Sequence, residues 1–144
     1  MDIDQFTVLT VDDSRLIRTN VRRMLDSLGV RNILEAADGL EALALLDRER
    51  IDLIISDWNM PEMTGHQLLK AVRANQVTKH LPFIMLTAEG EKDKVVAALQ
   101  AGVTNYIVKP FTQETLFSKI KKHLPEALRK QGQFGRVDWQ TQPE

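Results

Sequence analysis

The chain has 144 residues, of which 43% are hydrophobic and 27% are charged, and its 19 Lys and Arg residues nearly balance 20 Asp and Glu residues. This length suits one domain with a full hydrophobic core, and the near-neutral charge gives no reason to expect non-specific binding to nucleic acid or to anionic membranes. The absence of cysteine excludes disulfides, thiolate metal sites and thiol nucleophiles. The first residues are acidic and no apolar run approaches the ~20 residues of a membrane span, so we expect a cytoplasmic protein without a targeting segment.

Five short apolar runs predict β-strands. They comprise Phe6 to Val11, Ile33 to Ala36, Ile51 to Ser56, Leu81 to Leu86 and Tyr106 to Val108. The intervening segments carry apolar residues three and four positions apart, as in Ile17, Val21 and Leu25, which is typical of amphipathic helices. Strict alternation of near-continuous apolar strands with helices predicts an α/β fold with a doubly wound, five-stranded parallel sheet covered on both faces.

Helix boundaries carry their own signals. Two pairs have capping-box spacing, Asp38 with Glu41 and Thr64 with Gln67. Gly29 and Gly102 stand where a helix needs a left-handed residue at its carboxyl end. The helices between the strands are therefore expected to begin and end at these positions.

The carboxyl-terminal part of the chain changes character after Leu128. The last helix is expected to present Leu116, Ile120, Leu124 and Leu128 on one face. Beyond it, polar residues and glycines surround only Phe134, Val137 and Trp139. We expect residues 1–128 to form the folded domain and residues 129–144 to form a mobile tail. A docked tail, or the start of a linker to an effector domain, is the alternative.

Four of the apolar runs lead into polar residues that a buried strand does not require. These are Asp12 and Asp13 after the first run, Asp57 after the third, Thr87 after the fourth and Lys109 after the fifth. Taken singly, each has an ordinary explanation as a helix cap, a turn residue, a strand end or a surface lysine. In a parallel sheet, however, all these strand ends share the edge at which α/β folds bind ligands. The coincidence favours one functional site.

The residue types at this edge indicate a particular chemistry. Three carboxylates at ~4 Å separation would repel one another by roughly 4 kcal/mol per pair at an effective dielectric of ~20, and one lysine cannot neutralise them. A hard divalent cation with oxygen ligands can, and Mg²⁺ suits such a site better than Zn²⁺. Asp57 could then act as the nucleophile that accepts a phosphoryl group, while Lys109 and Thr87 contact its oxygens.

The motifs together resemble the response-regulator receiver domain, and within that family the stand-alone chemotaxis regulators, over about residues 5 to 126. The resemblance rests on Asp12-Asp13, Asp57-Trp58-Asn59-Met60-Pro61, Thr87-Ala88 and Lys109-Pro110-Phe111. It implies a flavodoxin-like sheet of strand order 2-1-3-4-5 with five helices. It also implies that Asp57 is phosphorylated, that Asp13, Asp57 and the backbone carbonyl of Asn59 bind Mg²⁺, that Asp12 acts partly through metal-bound water, and that the Lys109–Pro110 bond is cis.

The same resemblance implies a phosphoacceptor switch that catalyses its own phosphorylation and dephosphorylation, not an ordinary turnover enzyme. The phosphoryl donor would be a sensor histidine kinase, and a downstream target protein would bind the face formed by about residues 91–124. A phosphatase is a further candidate partner, whereas direct binding to nucleic acid or membrane is not expected. Thr87 and Tyr106 would form the switch, although Tyr106 could equally be an ordinary half-buried strand residue.

Three other functions remain open from the residues. A haloacid-dehalogenase-like phosphatase also uses an aspartyl nucleophile, but its motif has a second Asp where this chain has Asn59. A flavodoxin-like FMN carrier would need a phosphate-binding loop where Asp12 and Asp13 would repel phosphate. The chain could also be a receiver domain cut from a multidomain regulator with an effector output.

Other charged residues receive no functional assignment. His66, His80 and His123 share no spacing with acidic residues or with one another, and we expect each on a solvated helix face or loop. The basic residues near the end of the last helix are Lys119, Lys121, Lys122, Arg129 and Lys130. They are expected to form a solvated face that complements the helix dipole and not a nucleic-acid-binding patch.

Overall fold

A single parallel sheet organises the protein, whose computed structural model describes residues 3–88 and 91–129. Its strands are β1 (Thr7–Val11), β2 (Asn32–Ala36), β3 (Leu53–Asp57), β4 (Phe83–Ala88) and β5 (Asn105–Lys109). They lie in the order β2-β1-β3-β4-β5, and all neighbouring strands are parallel. The predicted fold class and strand order are confirmed. The order reverses between β1 and β3, so their carboxyl ends flank the position where such sheets bind ligands.

Helices cover both faces of the sheet. They are α1 (Arg15–Ser27), α2 (Gly39–Arg48), α3 (Gly65–Ala74), α4 (Lys92–Gln100) and α5 (Gln113–Ile120), with short 3₁₀ segments at Ile3–Gln5 and Lys121–His123. One core cluster lies between the sheet and helices α1 and α5, and a second lies between the sheet and helices α2 and α3. Helix α4 packs against α3 and β4. None of the helices in the described ranges is long and apolar enough to cross a bilayer.

The strands are nearly continuous in apolar residues because both of their faces are buried. In β1, Val8 points into the cluster under α1 and α5, whereas Leu9 and Val11 point into the cluster under α2 and α3. All five residues of β3 are buried. The apolar side chains among them, Leu53, Ile54 and Ile55, each contribute roughly 1.5–3 kcal/mol of burial free energy, so the central strands hold the polar residues at their ends in fixed positions.

The predicted helix boundaries are largely confirmed. Gln67 donates its backbone N–H to the Thr64 hydroxyl over 3.1 Å, and its side-chain oxygen accepts from the Thr64 N–H over 3.0 Å, which completes a capping box. The Asp38 carboxylate accepts from the Glu41 N–H over 2.8 Å, but the Glu41 side chain accepts from the N–H of Ala37 instead of closing a box. Gly29 and Gly102 adopt φ angles of 96° and 92°, as left-handed caps require.

The prediction of one helix through Leu128 is wrong. Helix α5 ends at Ile120, and Leu124 is extended with ψ 153° because the Pro125 ring disfavours a helical conformation in the preceding residue. Residues 126–129 are helical again, and both Leu124 and Leu128 are buried in the cluster under α1 and α5. The apolar face therefore persists across the break. The predicted tail, apart from residue 129, lies outside the described residues.

Candidate functional site

Three carboxylates meet at the carboxyl edge of the sheet. Asp12 and Asp13 follow β1 directly and Asp57 ends β3. One oxygen from each of the three side chains lies within 4.8 Å of the others. Asp12 and Asp57 are buried, while Asp13 is exposed at the mouth of the site. The predicted clustering of these residues is confirmed.

Lys109 ends β5 and reaches into the same site. Its ammonium lies 2.8 Å from an oxygen of Asp57 and 3.5 Å from an oxygen of Asp12. The peptide bond from Lys109 to Pro110 is cis, as the motif predicted. One cation therefore faces three carboxylates, and the site has more negative than positive charge.

The pKa values reflect this excess of negative charge. Burial raises the pKa of Asp12, and the neighbouring charges of Asp57 and Asp13 raise it further, against opposing contributions from the Ser14 N–H and from Lys109. Burial by itself would lower the pKa of Lys109, but its ion pairs with Asp57 and Asp12 outweigh burial and raise it. Among the described residues, the buried oxygen Oδ2 of Asp12 has no hydrogen-bond partner, and its contact with the Lys109 ammonium is 3.5 Å long. A set of crowded, incompletely satisfied carboxylates is what a hard divalent cation with oxygen ligands would neutralise.

Thr87 supplies a hydroxyl at the adjacent strand end. In the sheet Thr87 pairs with Val108, and the following residue Ala88 pairs with Lys109. The Thr87 side chain is 1% exposed, and its hydroxyl has no hydrogen-bond partner among the described residues. Buried hydroxyls almost always have a partner, so this donor is available for a group that enters the site.

Tyr106 lies close to Thr87 on the neighbouring strand. It is half-buried on β5 and pairs with Met85 in the sheet. Tyr106 and Thr87 both line an open groove of about 380 Å³ between α4 and the last two strands. The ammonium of Lys119 lies 5.5 Å from the centroid of the Tyr106 ring. Thr87 and Tyr106, the two residues predicted to form a switch, thus line one groove, and Tyr106 is also the half-buried strand residue that the alternative interpretation expects.

Asn59 lies in the loop after β3 with an exposed side chain. Its amide oxygen accepts a hydrogen bond of 3.0 Å from the ammonium of Lys94. The side chain is therefore engaged with α4, and only the backbone carbonyl is left for the metal role that the motif implied.

Gly65 is a residue that the sequence reasoning missed. A Cβ atom at this position would lie 2.1 Å from the carbonyl oxygen of Asp57, and the Gly65 N–H donates over 2.8 Å to the carbonyl of Trp58. The capping box beginning at Thr64 located the helix start but gave no sign that the next residue packs against the backbone of Asp57. Only glycine fits this close approach.

Arg18 is a second missed residue. Its guanidinium donates over 2.5 Å to the backbone carbonyl of Asp12 and over 2.9 Å to the carboxylate of Glu35. Arg22 donates to the other oxygen of Glu35 over 2.7 Å. The hydrogen bond to the Asp12 carbonyl and the ion pair with Glu35 hold Arg18 against the end of β1. The spacing of Arg18 and Arg22 along α1 was visible in the sequence, but their shared partner on β2 was not.

The expectation that all three histidines lie on solvated surfaces is correct only for His80, which is exposed. His66 is half-buried because its ring stacks on Trp58, with centroids 4.8 Å apart and planes 10° apart. Burial and the nearby Lys70 lower the pKa of His66. His123 is half-buried, its Nε2 is enclosed without a hydrogen-bond partner among the described residues, and burial lowers its pKa.

The predicted basic face is likewise only partly solvated. Lys122 is exposed, but Lys119 is half-buried against Tyr106. Lys121 and Arg129 are also half-buried, and Lys130 lies outside the described residues.

Fold and site together define a receiver domain. Residues 8–121 match the family of the response regulator receiver domain, and the chain belongs to this family. Membership supports a role in two-component response regulation and not that of a classical enzyme.

Among its relatives are the chemotaxis regulators of the CheY group. The chain is 48% identical over 115 residues to the chemotaxis protein CheY of Pseudomonas aeruginosa, an alignment that covers 80% of this chain and 93% of that protein. It is also 48% identical to chemotaxis protein CheY-3 of Vibrio cholerae, with 80% of this chain and 88% of that protein covered.

Solved structures agree with this relationship. The structure of the chemotaxis response regulator CheY4 of Vibrio cholerae superposes with a TM-score of 0.76 at 43% identity and covers 83% of this chain and 99% of that one. The receiver domain of the sensor histidine kinase PA1611 of Pseudomonas aeruginosa, solved with a magnesium ion coordinated in its active-site cleft, gives a TM-score of 0.74 at 32% identity. It covers 81% of this chain and 95% of that chain.

Proposed function

We propose that this protein is a phosphoacceptor switch in which Asp57 takes a phosphoryl group from a sensor histidine kinase. One observation carries the proposal: the buried Asp57 carboxylate lies 2.8 Å from the Lys109 ammonium and within 4.8 Å of the carboxylates of Asp12 and Asp13. A carboxylate held between a cation and a potential metal site is well placed to attack a phosphorus atom.

Mg²⁺ is the cofactor that best fits this donor set. Asp12, Asp13, Asp57 and the backbone carbonyl of Asn59 would hold it, with Asp12 acting partly through water. All are hard oxygen donors, and the buried Oδ2 of Asp12 has no hydrogen-bond partner in the part of the chain that the structure describes. The PA1611 receiver domain, which has a similar fold, carries a magnesium ion in its active-site cleft. When bound, the metal would neutralise negative charge on the phosphoryl oxygens.

Asp57, Lys109 and Thr87 would then carry out and stabilise the transfer of the phosphoryl group. A carboxylate oxygen of Asp57 attacks the phosphorus, a P–O bond forms as the donor's P–N bond breaks, and the imidazole leaves with its electron pair. The Lys109 ammonium, freed from one of its carboxylate contacts, pairs with a phosphoryl oxygen, and the Thr87 hydroxyl donates a hydrogen bond to another. Attack by water on the phosphorus would later break the P–O bond to Asp57, release inorganic phosphate and return Asp57 to a carboxylate.

The output would follow from the Thr87 hydroxyl. Movement of this hydroxyl toward the phosphoryl group would vacate space along the groove that it shares with Tyr106, and the face formed by about residues 91–124 would change its affinity for a target protein. The identity with chemotaxis regulators favours a cytoplasmic, motility-type pathway in which residues 1–128 act as a stand-alone receiver. A phosphatase is a further partner in this scheme, and a receiver cut from a larger regulator, with residues 129–144 as its linker, is the alternative.

The test is covalent labelling by a small phosphodonor. Incubation with acetyl phosphate and Mg²⁺ should add one acid-stable, base-labile phosphoryl group, located at Asp57 by mass spectrometry. Asp57→Asn should abolish the labelling, and removal of divalent metal should prevent it. Labelling of another residue in Asp57→Asn would overturn the assignment, and turnover of phosphomonoesters would favour the aspartate-nucleophile phosphatase instead.

A further inference from the structure

The first turn of α4 is tied to the acceptor loop by one side chain, Lys94. Its ammonium donates over 3.0 Å to the amide oxygen of Asn59 and over 2.9 Å to the carboxylate of Glu91. The same ammonium lies 5.7 Å from the centroid of the Trp58 ring. Trp58 and Asn59 are the two residues that directly follow Asp57. Lys94 therefore contacts both residues at the start of the loop that follows Asp57.

Glu91 extends this connection to the next loop. Its second carboxylate oxygen accepts a hydrogen bond of 3.3 Å from the N–H of Ala88, the residue after Thr87. The hydrogen bond from Lys94 lowers the pKa of Glu91, and the charge of Lys109 lowers it further. The Lys94–Glu91 pair thus joins the loop after β3, the end of β4 and helix α4 at the rim of the acceptor site.

These contacts differ from those of an ordinary surface ion pair. Isolated surface pairs contribute little because both partners are freely solvated. Here the Lys94 and Glu91 side chains are only 28% and 29% exposed, and the ammonium has an amide oxygen and an aromatic ring as additional partners. Cation–π contacts favour a fixed position over the ring. Lys92, two residues earlier in the first turn of α4, is exposed and makes none of these contacts within the described part of the chain.

We propose that Lys94 is a positioning residue that couples the state of the acceptor loop to helix α4, in parallel with the Thr87 and Tyr106 route. The inference rests on the proposed function of Asp57. The loop after β3 would supply a metal ligand through Asn59, so occupation of the site changes the position or rigidity of this loop. Lys94 transmits that change to α4, the first element of the proposed output face.

The experiment measures α4 directly. The experiment uses a Trp139→Phe background, so that Trp58 is the one tryptophan left of the two in the chain. Hydrogen exchange of the α4 amides and fluorescence emission of Trp58 are recorded with and without Mg²⁺ and beryllofluoride. The background protein should slow α4 exchange by about fivefold or more with the phosphoryl mimic, the lower limit of typical coupling. Lys94→Met should lose most of this response and most of the change in Trp58 emission while still accepting phosphate on Asp57.

Two matched variants decide the result. Lys94→Arg, which keeps the donors and the charge, should restore the response, and Lys92→Met, which removes a charge from the same helix turn, should leave it intact. A full response in Lys94→Met, or an equal loss in Lys92→Met, would overturn the proposal.

A measurement on the protein without metal or phosphoryl mimic distinguishes failure of this inference from failure of the proposed function. Without metal or mimic, Lys94→Met should exchange its first α4 amides about fivefold faster than the background protein, as expected for loss of roughly one hydrogen bond. If the first α4 amides exchange at the same rate in Lys94→Met as in the background protein, the proposed role of Lys94 is wrong even if Asp57 is labelled. Absence of labelling in every variant would instead reject the acceptor role, while the accelerated exchange would still establish the contact between Lys94 and the loop.

Discussion

Two cations, at opposite edges of the sheet, show how differently the two ends of this molecule are built. At the amino edge, the Arg73 guanidinium donates to the backbone carbonyls of Lys79, Leu81 and Gly102 over 3.0, 2.7 and 2.9 Å. At the carboxyl edge, Lys109 faces three carboxylates that it cannot all satisfy. The N–H donors of Arg73 are satisfied by backbone carbonyls of the protein itself, whereas the carboxyl edge retains negative charge that a cationic ligand would balance.

Within one sheet, the contacts at the amino edge stabilise the fold, whereas the side chains at the carboxyl edge are arranged to bind a ligand. Arg73 ties together the end of α3 and the segments before β4 and β5, and its donors meet neutral acceptors. At the carboxyl edge, the buried oxygen Oδ2 of Asp12 has only a 3.5 Å contact with the Lys109 ammonium, and the buried Thr87 hydroxyl has no hydrogen-bond partner among the described residues. Such incomplete satisfaction costs free energy in the folded state, and it persists where function requires it.

The largest effect is expected from Gly65→Ala at the carboxyl edge. The new Cβ would meet the Asp57 carbonyl oxygen at 2.1 Å, so the backbone must move, and the free energy of unfolding should fall by about 3 kcal/mol or more with loss of labelling. Gly102→Ala is the matched control at the amino edge, where the positive φ is strained but the nearest atom is the flexible Arg73 side chain at 3.4 Å. It should cost about 1 kcal/mol and keep labelling. Urea denaturation of both variants checks this, and equal stabilities would contradict it.

The next effect is expected from Arg73→Met at the amino edge. Loss of its part-buried hydrogen bond to Leu81 and its exposed hydrogen bonds to Lys79 and Gly102 should lower the free energy of unfolding by about 1–3 kcal/mol, since each net hydrogen bond contributes ~1 kcal/mol. Labelling of Asp57 in the folded fraction should be unchanged because the site lies at the other edge. If folded Arg73→Met protein no longer accepts phosphate, the amino edge is not independent of the site at the carboxyl edge, and the prediction is wrong.

A smaller effect of opposite sign is expected from Asp13→Ala. Removing one of three crowded carboxylates should raise the stability of the metal-free protein by about 1 kcal/mol or less, and it should eliminate most of the stabilisation by Mg²⁺. Thermal unfolding with and without Mg²⁺ measures both. Asp26→Ala, which removes an exposed carboxylate at the other end of α1, should leave the Mg²⁺ response intact. Clear destabilisation of metal-free Asp13→Ala would favour a capping role for this residue.

The smallest effect concerns pH and Glu35. Burial opposes ionisation, but hydrogen bonds and charge from Arg22 and Arg18 outweigh it and lower the pKa of Glu35 below its ordinary value of 4.5. The resulting stabilisation is present above pH 4.5 and is lost as the pH falls through the lowered folded-state pKa. We expect Glu35→Gln to lower the free energy of unfolding at pH 7 by at most about 1 kcal/mol, because the pair is partly solvated. This difference should vanish in acid, and a difference independent of pH would contradict the ion-pair explanation.

The sequence was sufficient for the sheet and for the acid cluster because both follow from chain connectivity. Alternating strands and helices place every strand end at one edge, so Asp12, Asp57 and Lys109 had to converge. Contacts between neighbouring loops and helices were not predictable in the same way. The partner of Lys94 depends on how far α4 leans toward the loop after β3, and the stacking of His66 on Trp58 depends on side-chain rotamers.

The error at the last helix has a different origin. Pro125 was visible in the sequence, but the regular spacing of Leu124 and Leu128 favoured an unbroken helix. The structure keeps that spacing on the core face while breaking the backbone between them. Apolar periodicity reports which residues are buried, and local backbone chemistry determines whether the helix is continuous.

The origin of the site in three separate strands has a consequence for synthesis of the protein. Asp12 follows the first strand, Asp57 ends the third and Lys109 ends the fifth, so the acceptor carboxylate meets its lysine only when the last strand has paired with β4. A chain still emerging from the ribosome, or one cleaved before β5, has Asp57 but lacks its cationic partner Lys109. Under the proposed function, the protein can therefore accept a phosphoryl group only after the sheet is complete.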